Sequence, residues 1–145
     1  MNQVNIPEHQ ELVIVRGHPG SGKSTFAKTF SDKGYKHFEN DSFFVDEKGN
    51  YSFDFAFHQK AKDVCVQNVI NSIISGDSVV VSNTYTKIKE MDDIIDFVNE
   101  MKVPYRIFEM YYNFENVHSV PDSVVDEKKQ NFEPHENAIK IGFVK

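Results

Sequence analysis

Apolar residues fall along this chain in two alternating rhythms. Leu12-Val13-Ile14-Val15 is an unbroken apolar run that ends in Arg16-Gly17. A run apolar at every position predicts a strand buried on both faces, as in a parallel sheet covered by helices. Residues 22–33 then predict a helix with Phe26, Ala27 and Phe30 on one face, stopped by Gly34. A second short strand is expected over 35–39, followed by Asn40-Asp41. Gly49-Asn50, set between aromatic stretches within 43–53, predicts a small hairpin or ordered loop.

The pattern repeats in the second half. Phe57, Ala61, Val64, Cys65, Val69, Ile73 and Ile74 recur at helical spacing within 54–75, and Gly76 closes that helix. Residues 78–82 predict the next buried strand, 88–101 an amphipathic helix and 105–111 a fourth strand. Pro121 opens a polar helix running to 131, and 138–144 predicts a last strand at the sheet edge. Strands and helices alternating at these lengths imply an α/β domain with a mainly parallel sheet of about five strands. No repeat or linker interrupts the pattern, and 145 residues suit one domain over 1–145.

The turn between the first strand and the first helix carries the chemistry. Gly17-His18-Pro19-Gly20-Ser21-Gly22-Lys23-Ser24 fits G-x-x-x-x-G-K-[ST], and it lies where that pattern has meaning, after a buried strand and at the opening of a helix. Glycines 17, 20 and 22 let the backbone turn its N–H groups toward phosphate oxygens. The helix N-terminus adds partial positive charge at the same spot. Lys23 is positioned for the β- and γ-phosphates, Ser24 for Mg²⁺, and Thr25 for the α-phosphate. ATP with Mg²⁺ is the expected ligand, and the fold is that of a P-loop NTPase, a three-layer α/β/α sandwich with a short lid helix near 121–131.

Composition narrows the setting. Net charge is −6, which argues against a module whose main task is gripping nucleic-acid backbone. No apolar run approaches the roughly 20 residues that span a bilayer. Residues 1–11 are polar, without the basic-then-apolar order of an export signal. The single cysteine, Cys65, has no partner in the chain, so a reducing cytoplasmic setting is expected.

With these segments in view, the chain resembles the small P-loop kinases of the AAA_33 type, relatives of the kinase domain of phage polynucleotide 5′-kinase. The likeness rests on 16–25, on Asn40-Asp41-Ser42-Phe43-Phe44 with 49–53, on 61–65, and on Val81-Ser82-Asn83-Thr84 joined to 116–121. It covers roughly residues 12 to 134, and only the phosphate loop is specific by itself. The resemblance implies that Asp41 faces the acceptor hydroxyl as base or orienter and lies near the metal. It also places Asn83 and Thr84 at the mouth of the third strand, toward the γ-phosphate. A phage or bacterial source is implied in the same way.

Three positions depart from the family pattern. Ser82 stands where many relatives carry Asp, Glu115 where many carry the first lid arginine, and Phe44 where the polynucleotide kinase holds its acceptor's phosphate with arginine. Mg²⁺ would then lean on Ser24, the phosphates and Asp41. Lys129, beside Lys128 in the helix after Pro121, is the expected lid cation, since Arg16 and Arg106 are badly placed for it. His118 reads as structural, and Phe43, Phe44, Tyr51 and Phe53 as core more than as a stacking surface. The expected reaction is transfer of the γ-phosphate to a hydroxyl of a nucleoside, a nucleic-acid 5′ end or another small acceptor. The alternative, kept open by Ser82 and Glu115, is an ATP-binding switch or partner-binding module with little kinase activity.

Overall fold

The computed structural model describes residues 5–114 and 120–143. Five parallel strands, β1 (Leu12–Gly17), β2 (Lys36–Phe38), β3 (Val79–Asn83), β4 (Tyr105–Met110) and β5 (Ile139–Ile141), form one sheet in the order β2-β3-β1-β4-β5. Parallel neighbours need long crossovers, and three helices supply them: α1 (Lys23–Ser31), α2 (His58–Ile74) and α3 (Asp92–Glu100). The fourth, α4 (Asp122–Asn131), lies in the connection from β4 to β5 and carries no buried residue.

Side-chain alternation along β1 builds the layers. Leu12 and Ile14 face a core with Cys65, Val69 and Ile73 of α2 and Ile94 and Val98 of α3. Val13 and Val15 face the other core, with Phe26, Ala27 and Phe30 of α1. All four strand residues are fully buried, which is why their run reads as uniformly apolar. The sheet is thus covered on both faces, as the apolar pattern predicts.

Element boundaries differ in detail. The helix expected over 54–75 begins at His58, after a 3₁₀ turn at Phe55–Phe57 whose Asp54 side chain accepts from the Ala56 N–H at 2.9 Å. Local capping by a short Asp side chain competes with helix there. The expected hairpin is a single antiparallel bridge, Val45 to Tyr51. The aromatics around it correct the core expectation: Phe44 is buried, but Tyr51 and Phe53 are exposed, as are Phe55 and Phe57. Tyr51 and Phe53 pack on Phe44, Phe57 on Phe43 and Phe55 on His58, and none of them belongs to either core cluster. Among the described residues no helix is long and apolar enough to cross a membrane.

Candidate active site

The loop after β1 folds around its glycines. Gly20 has φ 79°, and a Cβ there would sit 2.7 Å from the Phe114 carbonyl oxygen. Gly17 is equally confined, its missing Cβ lying 2.6 Å from Ser21 Oγ and 2.7 Å from the Met110 carbonyl. The Phe114 N–H also donates to the Gly20 carbonyl at 2.6 Å, so the chain leaving β4 lies against the loop. Gly22, in the left-handed region, heads α1 without a side-chain cap. The first N–H groups of that helix are therefore left to an anion. Inside the loop, Ser21 is fully buried and its Oγ has no hydrogen-bond partner among the described residues.

Lys23 folds back and donates to the His18 carbonyl at 3.0 Å. Among the described residues no carboxylate ion-pairs with it. Burial pushes its ammonium down to about 8, against the opposing pull of Asp41 and then Glu39. His18 donates from Nδ1 to the Pro19 carbonyl at 2.8 Å, and the ring also hydrogen-bonds to the Tyr112 backbone. Burial chiefly holds this imidazole below its ordinary pKa, and the charges of Lys129 and Lys23 add to the effect.

The chain leaving β2 brings two carboxylates to this place, beside Ser82 and Asn83 of β3. Asp41 lies in a 3₁₀ turn (Asn40–Phe44) directly after β2 and accepts from the Tyr51 hydroxyl at 3.4 Å. Burial, and then Asp41, push that phenol up to about 12. Glu39 Oε2 accepts from Ser24 Oγ at 3.3 Å and from Ser82 Oγ at 3.1 Å. His37 Nε2 approaches the same Ser82 oxygen at 2.7 Å. Asn83 is taken up within the fold: its Oδ1 accepts the Asn40 N–H at 2.7 Å, and its Nδ2 donates to Tyr85 at 3.0 Å.

The end of α4 is tied to β1 through Arg16, which also forms a buried ion pair with β4. Arg16 and Glu109 face each other across β1 and β4, fully buried, with Nη1 and Oε2 2.6 Å apart. Arg16 also donates to the carbonyls of Tyr85 and of Glu133, and its guanidinium lies 4.0 Å from the Phe132 ring centre. Glu109 accepts from the Tyr111 hydroxyl and the His135 N–H. Phe132 is the C-cap of α4, so this cluster fixes where the helix ends. A cavity of about 340 Å³ opens alongside, lined by Gly17, His18, Met110, Tyr111, Lys129 and Phe132 among others.

A family model described as AAA domain, AAA_33, matches residues 12–135. The chain belongs to the AAA_33 family. It is 30% identical over 137 residues to an uncharacterised protein of Pasteurella multocida, covering 81% of this chain and 74% of that one. A bifunctional polynucleotide phosphatase/kinase of Schizosaccharomyces pombe is 31% identical over 100 residues, 68% of this chain but only 21% of the longer enzyme. Among solved structures, a gluconokinase from Sinorhizobium meliloti superposes with a TM-score of 0.65 at 15% identity, covering 93% of this chain and 83% of its own. At that identity the likeness establishes the fold, a kinase-like P-loop sandwich.

Within this AAA_33 domain the structure gathers the phosphate loop, Asp41 and Lys129 at one end of β1. Thr25 is exposed on α1, and Asn83 serves as a latch between β3 and the turn bearing Asp41. Glu115 and His118 lie outside the described residues. No group of three or more His, Cys, Asp or Glu side chains gathers to hold a metal among the described residues. Glu39 is the residue that reading the sequence missed. Its signal was the pairing of β2 with β3: Phe38 lies opposite Val81, so the next residues on each strand, Glu39 and Ser82, end side by side.

Proposed function

We propose that the chain transfers the γ-phosphate of ATP to a hydroxyl acceptor. The observation that carries this is Lys23: a partly buried cation at a helix N-terminus, without an ion pair among the described residues, beside the carboxylates that end β2. A cation that has lost water and gained no anion is complementary to one that arrives with the substrate. Lys23 and the uncapped N–H groups of α1 would hold the β- and γ-phosphates. When bound, Mg²⁺ supplies further neutralisation of phosphate charge, with Ser24 and the nearby carboxylates as its protein-side oxygens.

Asp41 is the residue best placed to take the acceptor's proton. It follows the C-terminal end of a parallel strand, where ligands of such sheets bind, and its charge reaches Lys23. The Tyr51 hydroxyl steadies the carboxylate without neutralising it. Lys129, beside His18 in the cavity, would bring positive charge to the transferring group from the lid side. Of the two features that favoured a switch module, Ser82 loses its force, because Glu39 places a carboxylate against its hydroxyl.

The acceptor is open between the polynucleotide end suggested by one relative and a small molecule, which net charge −6 and Phe44 favour. Purified protein with γ-labelled ATP and Mg²⁺ should label one class in a panel of nucleosides, 5′-hydroxyl oligonucleotides and sugars. Tight ATP binding with label reaching none of them sinks the reading. Asp41→Asn should slow transfer about 10²- to 10⁴-fold, the usual worth of a general base, with ATP affinity little changed.

A further inference from the structure

The most informative contact at the mouth of the sheet joins residues from the ends of two strands and the first turn of α1. Glu39 Oε2 accepts hydrogen bonds from Ser24 on α1 and from Ser82 on β3. The Ser82 hydroxyl has one hydrogen and gives it to Glu39, so its lone pair receives the Nε2–H of His37, 2.7 Å away. Ser82 is buried, and His37 Nε2 is 3.8 Å from the same glutamate oxygen. The result is a directed chain, His37 to Ser82 to Glu39, with Ser24 donating into the same carboxylate.

In a P-loop the serine or threonine after the lysine offers its oxygen to Mg²⁺, and an acidic residue on a neighbouring strand supports the metal. A carboxylate that accepts the hydroxyl hydrogen turns the oxygen's lone pairs outward, which is how outer groups orient metal ligands. Sheet geometry explains the exchange of side chains. The strand next to β1 is β3, while β2 lies one strand, about 4.8 Å, further out. A carboxylate starting from β2 must cross that extra distance, and glutamate has one more methylene than aspartate. Serine at the end of β3 leaves the room for it and adds a donor to hold it.

We propose that Glu39 orients Ser24 toward Mg²⁺ in place of an acidic residue at the end of β3, and that Ser82 and His37 are its positioning residues. This rests on the nucleotide-binding reading above. The deciding measurement is Mn²⁺ affinity in the presence of ATP, followed by the electron paramagnetic resonance signal of free Mn²⁺, beside ATP affinity in EDTA by calorimetry. Glu39→Gln should weaken Mn²⁺ about 10- to 100-fold and leave metal-free ATP affinity nearly unchanged. Adding Ser82→Asp to Glu39→Gln should restore most of the lost metal affinity by returning the charge to β3.

Wild-type Mn²⁺ affinity in a folded Glu39→Gln variant that still binds ATP overturns the assignment of Glu39 alone. Failure of Ser82→Asp to recover any of the loss overturns the relocation. A wild-type protein that binds no ATP in EDTA or with Mn²⁺ overturns this proposal together with the phosphotransfer reading.

Discussion

Arg16 and Lys23 stand at the two ends of one phosphate loop, and the fold treats them in opposite ways. Arg16 is completely enclosed, yet its guanidinium has a carboxylate, backbone carbonyls and an aromatic face around it. Lys23 is less enclosed, yet it meets one carbonyl, that of His18. Burial lowers the pKa of both; at Arg16 the charge of Glu109 opposes the shift directly, through an ion pair. A satisfied buried cation belongs to the architecture. An unsatisfied one marks the place where an anion is expected from outside.

The comparison breaks most visibly on the satisfied side. Glu109→Gln leaves the Arg16 charge buried without its counter-ion and should cost about 3–5 kcal/mol, read by urea unfolding. Equal loss from Lys23→Met would erase the distinction between the two cations. Lys23→Met should instead leave folding stability unchanged or raised at pH 7, and weaken ATP binding about 10- to 100-fold, the worth of one charged hydrogen bond of ~1.5–3 kcal/mol. Calorimetry reads the second quantity, and unchanged affinity contradicts the loop's assignment.

The smallest effect sharpens the contrast through pH. The Lys23 pKa is 10.5 in an ordinary setting and about 8 here, so the unfolded chain binds more protons across that interval. Stability of the nucleotide-free protein should therefore rise as pH climbs from 8 toward 10.5, and the gain is lost again as pH falls through 8. ATP binding has the opposite sign. Bound phosphate keeps the proton on Lys23, so affinity should fall above pH 8, at most tenfold per pH unit. Lys23→Met removes both slopes.

These two cations also show what can be read in a sequence. Lys23 is legible because its role lies in local spacing: strand, glycine turn, Lys-Ser, helix. The strands and helices are legible for the same reason, since burial on one or both faces imprints its period on neighbouring residues. Read from the sequence, Arg16 has no partner and is only badly placed for the lid, because Glu109 and the Glu133 carbonyl that hold it come from the far half of the chain. Glu39 was hidden similarly. Only the register between β2 and β3 sets it against Ser82, and the absence of aspartate at 82 seemed to be an absence of charge. Asn83 shows the converse: its place at a strand mouth suggests ligand contact, while the structure spends both ends of its amide on holding the turn that carries Asp41.

The clamp on Phe132 has a mechanical meaning for the lid. Lys129 precedes that residue by three positions, about 4.5 Å along the axis at ~1.5 Å per residue. A rod pinned so near its load has almost no lever arm. Swinging α4 about the Arg16–Phe132 pivot would carry the far end near Asp122 through a wide arc while Lys129 barely leaves its cavity. Its charge would therefore be set in place by the fold, and travel would belong to the opposite end of the helix.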